Sequence, residues 1–252
     1  MELLKHLATV LRHPSILRPY KRVLLLSHMR ANTSLFGHLL GSNPEIEGYY
    51  ELHIGYYSWK SFIRQKLKYF AEHTPKAGAK YIFDKVLAEE HFIETSLFSK
   101  RNDKIIVMIR EPNASILSIM KLYQKVDPTH EYTTIEGASK YYSNRLKQLV
   151  EMAKSIKEKY LFIEADNLIQ HPDETLKNIT QYLALSAPLT KEYKIFPKTG
   201  EKRVGDSSKN ISSGMITPKE TQNITLDGLD KGIIEQYNNT LNTLKSLSVS
   251  IK

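Results

Sequence analysis

The chain has 252 residues, of which 41% are hydrophobic and 25% charged, so it is long enough to bury a core as one α/β domain. It contains no cysteine, which excludes disulfide bonds and thiol chemistry. No apolar run is long enough to cross a membrane and no signal peptide is evident, so we expect a cytoplasmic protein. The net charge of +9 suits a polyanionic ligand, but neither an RNP-like signature nor a long basic run is present, so we expect no nucleic-acid partner.

The N-terminal segment, residues 1–20, mixes leucines with basic residues and predicts an amphipathic helix. Such a helix can occupy one of two places. It can dock on the domain, or it can attach the protein peripherally to the anionic inner membrane.

The first strongly patterned segment runs from an apolar strand at residues 23–26 into a turn and a helix. Thr33 and Ser34 open this helix, and Arg30 precedes them in the turn. The first N–H groups of a helix have no partner inside it, so with the hydroxyls and the guanidinium they predict a phosphate or sulfate site. An ordinary capped strand–turn–helix is the alternative. The segment lacks the glycines and the lysine of a Walker A loop, which disfavours an ordinary ATP or GTP enzyme.

This turn resembles the 5′-phosphosulfate loop of sulfotransferases that use 3′-phosphoadenosine 5′-phosphosulfate (PAPS). The family pattern is a basic residue, Ser, Gly, Thr, Thr, then Trp or Leu, and the matching positions here are Arg30, Ala31, Asn32, Thr33, Ser34 and Leu35. Asn32 replaces the glycine, and asparagine is the non-glycine residue that best tolerates a left-handed backbone.

A second strand–turn–helix spans residues 104–123, with Arg110 at the end of the apolar strand and Ser118 eight positions later. In the family, an arginine and a serine at this spacing hold the nucleotide 3′-phosphate, so the resemblance assigns that role to this pair. A guanidinium can bind phosphate oxygens with two parallel hydrogen bonds. The alternative is an arginine paired with a surface carboxylate and a serine facing solvent.

Two further strands are predicted at residues 81–83 and 160–163. Lys85 follows the first of them, where many family members carry a lysine near the bridging phosphosulfate oxygens; a solvated lysine is the alternative. Glu164 and Asp166 follow the second, and we expect them to fix the turn and the start of the next helix.

Together these elements predict a single α/β domain over residues 1–252, with a central parallel sheet flanked by helices. The resemblance implies the P-loop-NTPase-like sulfotransferase fold, in a soluble bacterial version. Because ligands of such sheets bind beyond the carboxyl ends of the strands, we expect Arg30, Lys85 and Arg110 to share one cleft.

The general base is expected in the segment that follows the first helix. Glu51 is the first candidate, because in tyrosylprotein and related sulfotransferases a catalytic glutamate follows the basic residue of the loop at the same interval as that from Arg30 to Glu51. His53 is the alternative, since histidine is the side chain most often used as a general base near neutral pH. Several aromatic residues nearby predict either an acceptor-binding wall or a packed cluster, namely Tyr49, Tyr50, Tyr56, Tyr57 and Trp59.

Two longer segments also have a recognisable pattern. Residues 136–158 predict the longest helix, with an apolar stripe and with its basic residues on a solvated face. Residues 197–219 predict a long loop, which in several family members closes over the nucleotide; Arg203 would then contact it. A plain solvated loop is the alternative.

The predicted function is transfer of a sulfuryl group from PAPS to a hydroxyl or amine of a small molecule, carbohydrate or glycolipid, without a metal. The product would be 3′-phosphoadenosine 5′-phosphate (PAP). Two other classes stay open: a divergent nucleotide-dependent kinase or hydrolase, and a catalytically silent nucleotide- or membrane-binding protein of the same fold.

Overall fold

The centre of the protein is a five-stranded, fully parallel sheet with strand order β2-β3-β1-β4-β5. The strands are β1 (Lys21–Leu26), β2 (Ile46–Glu47), β3 (Tyr81–Val86), β4 (Lys104–Ile109) and β5 (Leu161–Glu164). The computed structural model describes residues 2–98, 103–157, 159–200, 211–217 and 224–250.

The sheet is covered by helices on both faces. The helices are α1 (Glu2–Arg12), α2 (Thr33–Ser42), α3 (Trp59–Phe70), α4 (Pro112–Val126), α5 (Ile135–Ser155), α6 (Asn167–Gln170), α7 (Pro172–Leu183) and α8 (Lys231–Leu247). Within the described residues, short 3₁₀ turns lie between these elements at Pro14–Leu17, Thr95–Leu97, Glu131–Thr133 and Ile211–Ser213.

The central strand β1 shows why its sequence has no polar alternation. Leu24 and Leu26 belong to one apolar cluster, which includes core residues of α3, α4, α5 and α8. Val23 and Leu25 belong to a second cluster on the other face, with residues of α2 and α7. Because successive side chains of a strand point to opposite faces, a strand covered on both sides reads as a continuous apolar run.

The structure confirms the predicted fold class, and the four predicted strands all occur. The strand β2 was not predicted, because a two-residue element has no readable period. The long helix predicted at residues 136–158 occurs as α5, at Ile135–Ser155.

The expectation that the basic residues of α5 lie on a solvated face holds for its lysines but is wrong for its arginine. The exposed lysines are Lys140, Lys147 and Lys154. Arg145, by contrast, is only 1% exposed. Its Nε donates to the carbonyl of Ser27 at 2.9 Å and its Nη2 to that of Val86 at 2.7 Å, so it ties together the carboxyl ends of β1 and β3. The guanidinium adds a side-chain donor to the carbonyl of Val86, which also accepts the backbone N–H of Ser27 at 3.3 Å.

The N-terminal segment forms the helix α1, which contacts α3. Leu7 and Leu11 on this helix are exposed. Among the described residues, none of the helices has the length and apolar character needed to span a bilayer.

The predicted loop at residues 197–219 is described only at 197–200 and 211–217. In the first part, Thr199 hydrogen-bonds His38 of α2 at 2.8 Å. Arg203 lies outside the described residues.

Candidate active site

The turn after β1 has the left-handed backbone that asparagine tolerates better than most other residues. Both Arg30 (φ 63°) and Asn32 (φ 54°) are left-handed. The side-chain amide of Asn32 donates to the carbonyl of Ala165 at 3.1 Å and to Oδ1 of Asp166 at 3.4 Å. The asparagine therefore both tolerates the turn and anchors it to the residues after β5.

The helix that follows this turn, α2, begins at Thr33, with Asn32 as its N-cap. Thr33 is buried and Ser34 is half-buried, while Ala31 in the turn is fully buried. The N-terminus of α2 thus brings its first N–H groups and two hydroxyls to the carboxyl edge of the sheet, beside Arg30, which is the arrangement expected of an anion site.

The turn after β4 meets the turn after β1. Nε of Arg30 donates to Oγ of Ser118, on α4, at 2.8 Å. Nη1 of Arg110 donates to the carbonyl of Arg30 at 3.4 Å, and its Nε forms an ion pair with Asp166 at 2.8 Å. The structure thus brings Arg30, Arg110 and Ser118 together. The hydrogen bond to Ser118 comes from Arg30, whereas Arg110 is paired with the carboxylate of Asp166.

His28 connects the same two turns. It is fully buried; its Nε2 accepts the backbone N–H of Arg110 at 3.0 Å, and its Nδ1 lies 2.8 Å from the carbonyl of Met29. An acceptor at Nε2 and a carbonyl at Nδ1 require the neutral tautomer with its proton on Nδ1. Burial, together with the charges of Arg145 and Arg110, lowers the pKa of His28 to about 4. Sequence analysis gave this residue no role.

Glu51 lies in the loop between β2 and α3, with its side chain 10% exposed. Its Oε1 accepts the N–H of Leu87 at 3.4 Å. Burial by itself raises the pKa of Glu51, but the contact with His91 and the charges of Lys85 and His53 outweigh it, so the pKa lies below its usual value. The carboxylate is therefore ionised at neutral pH and able to accept a proton.

A chain of hydrogen bonds joins Glu51 to the first turn. The hydroxyl of Tyr141 accepts the N–H of Met29 at 2.9 Å and donates to the carbonyl of Leu87 at 3.1 Å. Leu87 in turn donates its N–H to Glu51. Tyr141 lies on the helix for which the sequence predicted an apolar stripe, and its hydroxyl connects the segment around Leu87, which contacts Glu51, to the Arg30 turn.

Lys85 is 3% exposed, so the solvated alternative for this lysine is wrong. It lies within β3, opposite Leu25 of β1 in the sheet register, and its charge acts on Glu51.

The neighbour of Lys85, Asp84, fixes the segment that carries the candidate base. Its carboxylate accepts the N–H of Leu52 at 3.0 Å and the hydroxyl of Tyr56 at 2.7 Å. Burial raises the pKa of Asp84 to about 7. Because Leu52 directly follows Glu51, this carboxylate holds the loop against β3.

The aromatic residues near Glu51 divide into two groups. Tyr49, Tyr50 and Tyr56 are buried and belong to the core. Tyr57 and Trp59 are exposed, and the ring of Tyr57 stacks on that of Phe92 with centroids 6.0 Å apart. Only the second group is available to a ligand.

No protein-family model and no curated protein matches the chain. Among solved structures, it is similar to the sulfotransferase domain from the curacin biosynthetic pathway, with 14% identity and a TM-score of 0.54 over 89% of this chain and 98% of that one. It is also similar to the sulfotransferase domain from the Synechococcus PCC 7002 olefin synthase, with 15% identity and a TM-score of 0.58 over 93% of this chain and 96% of that one. The chain therefore has the fold of sulfotransferase domains.

Proposed function

We propose that the protein is a sulfotransferase that moves a sulfuryl group from PAPS to a hydroxyl or amine of an acceptor. The observation that carries this proposal is the meeting of the two anion-type turns, where Arg30 contacts Ser118 at 2.8 Å and Arg110 contacts the carbonyl of Arg30 at 3.4 Å. Two basic turns at the carboxyl edge of one sheet suit a ligand with two separate anionic groups.

In this proposal the 5′-phosphosulfate lies on residues 30–34, against the N-terminus of α2 and the guanidinium of Arg30. The 3′-phosphate lies at Arg110 and Ser118. Arg110 keeps its Nε on Asp166 and offers its remaining N–H groups to the phosphate, since a guanidinium has five donors.

The transfer itself needs a base and charge stabilisation. Glu51 accepts the proton of the acceptor as its oxygen or nitrogen forms a bond to sulfur, while the bond from sulfur to the bridging phosphate oxygen breaks and PAP leaves. Negative charge builds on that bridging oxygen, and Arg30 and Lys85 stabilise it electrostatically. The exposed rings of Tyr57, Trp59 and Phe92 offer a stacking surface for a carbohydrate or glycolipid acceptor.

Nucleotide binding tests the proposal before any acceptor is known. We expect PAP to raise the melting temperature without Mg²⁺ and to do so more than ATP at equal concentration, because ATP lacks the 3′-phosphate; a ligand at 100 times its Kd adds about 2.7 kcal/mol. A larger response to ATP that depends on Mg²⁺ would favour a kinase or hydrolase instead. No response to any nucleotide would favour a silent protein of the same fold.

The acceptor is then sought with labelled PAPS and pools of carbohydrates, glycolipids, small metabolites and peptides. Transfer of label to one pool, dependent on Glu51, identifies the acceptor class.

A further inference from the structure

Three potential metal ligands converge in one place, and one of them is the candidate base, Glu51. One ligand atom from each of Glu51, His53 and His91 lies within 4.8 Å of the other two. Oε1 of Glu51 is 3.8 Å from Nδ1 of His53 and 3.7 Å from Nδ1 of His91. Both distances exceed the usual hydrogen-bond range but lie within ion-pair range, so the carboxylate and the two imidazoles face one another across a small space.

His91 supplies a second observation. Its Nδ1 is buried and has no hydrogen-bond partner among the residues that the structure describes. An unsatisfied buried polar atom costs roughly 1–3 kcal/mol, and a metal ion bound between this Nδ1 and the Glu51 carboxylate, 3.7 Å away, would remove that cost.

His53 provides access from solvent. Its side chain is 54% exposed, whereas those of Glu51 and His91 are 10% and 13% exposed. Its backbone is left-handed, with φ 51°, a conformation that disfavours most side chains. The cluster thus has two sheltered ligands and one at the surface, through which an ion can enter.

We propose that Glu51, His53 and His91 bind a divalent transition-metal ion of the Zn²⁺ type. Two imidazoles and one carboxylate are the donor set that such ions prefer, whereas Mg²⁺ and Ca²⁺ prefer oxygen ligands alone. Ligands about 2.1 Å from a tetrahedral ion lie ~3.4 Å apart. The two distances from Oε1 of Glu51 therefore need to shorten by only a few tenths of an ångström, and the two histidine ligand atoms already lie within 4.8 Å of each other.

Metal binding has a direct consequence for transfer, which rests on the proposed function. A carboxylate oxygen that coordinates a metal ion cannot also take the proton of the acceptor. Zn²⁺ therefore inhibits transfer reversibly while leaving both anion-type turns, and hence PAP binding, intact.

The test uses the full chain freed of metal with a chelator. Zn²⁺ binding is measured by titration calorimetry, and Co²⁺ binding by the visible absorption bands of a tetrahedral site. We expect one ion per chain, and His91→Ala and His53→Gln should each weaken binding by roughly tenfold or more. His171→Ala, at an exposed histidine outside the cluster, is the matched control and should bind as the wild type does.

His53→Gln should fold even if His91→Ala does not, because the side chain of His53 is 54% exposed. Equal Zn²⁺ binding by the wild type and both cluster variants would overturn the site, and so would an absence of binding by the wild type. The PAP melting shift, measured on the same samples, separates the two proposals. If PAP binds and Zn²⁺ does not, only the metal site fails; if Zn²⁺ binds and PAP does not, only the sulfotransferase proposal and the inhibition fail.

Discussion

Nε of Arg30 lies 2.8 Å from Oγ of Ser118, a contact between two residues 88 positions apart. It joins the turn after β1 to the helix after β4, the two segments whose patterns independently predict an anion site. Arg110 also donates to the carbonyl of Arg30. Each arginine therefore hydrogen-bonds to the strand–turn–helix segment that contains the other. Changes in either turn therefore test the proposed nucleotide site.

Replacing Arg110 with alanine should selectively weaken nucleotides that carry a 3′-phosphate. The lost charge-assisted hydrogen bonds correspond to about 10- to 100-fold in Kd for PAP, with little change for adenosine 5′-phosphosulfate, which has no 3′-phosphate. Calorimetric titration of both ligands measures the ratio. Lys154→Ala is the control. This exposed lysine lies on the last turn of α5, which precedes the amino-terminal end of β5, whereas the two turns follow the carboxyl ends of their strands. An equal loss for both ligands would contradict the assignment.

Replacing Glu51 with glutamine should reduce turnover of the identified acceptor by roughly 10²- to 10⁴-fold, because the amide cannot accept the proton. The Kd for PAP should stay within about twofold, as expected when a residue acts only on the chemical step. His53→Gln is the comparison. If that variant loses turnover while Glu51→Gln keeps it, His53 is the base.

Asn32 should matter for backbone conformation as well as for its side-chain contacts. Asn32→Gly and Asn32→Ala both remove the amide that donates to Ala165 and Asp166, but only alanine carries a Cβ in a left-handed turn. We expect the alanine variant to be less stable than the glycine variant by about 1 kcal/mol in urea unfolding. Equal stability of the two variants would show that the conformation at this position costs nothing.

His28 should make stability depend on pH. Its ordinary pKa is 6.5, and burial lowers it to about 4 in the folded protein. Above pH 6.5 both states hold a neutral imidazole; as the pH falls below that value, the unfolded chain takes up a proton that the folded protein does not. The contribution to stability is therefore lost between pH 6.5 and about 4, up to roughly 3 kcal/mol.

Urea unfolding of the wild type and His28→Gln across this pH range measures the effect. The stability advantage of the wild type should shrink as the pH falls. Asp84 acts in the opposite direction, because burial raises its pKa to about 7, but it is present in both proteins and cancels in the difference. Parallel curves for the two proteins would refute the role of His28.

The sequence predicted those features that are local in the chain. Runs such as residues 23–26 revealed buried parallel strands because both faces are covered, and each basic turn lies beside the strand that precedes it. The partners of these turns could not be predicted in this way. That Asp166 binds Arg110, and that His91 lies beside Glu51, depends on which loops the sheet order brings together at its carboxyl edge.

The burial of Arg145 and the hydroxyl contacts of Tyr141 escaped sequence analysis for a related reason. Both lie on α5, where a helical period shows which side faces the core but not which backbone carbonyls that side will meet. Long polar side chains on a core-facing stripe are therefore the positions where a pattern is least informative.

The buried imidazole of His28 bridges the carbonyl of Met29 and the N–H of Arg110, and it is rigid and uncharged. It works as a spacer of fixed length between the two turns. If the two turns bind a nucleotide as proposed, the ligand has to match a separation that the protein sets beforehand, and the site would then distinguish polyanions by the distance between their charged groups as well as by their total charge.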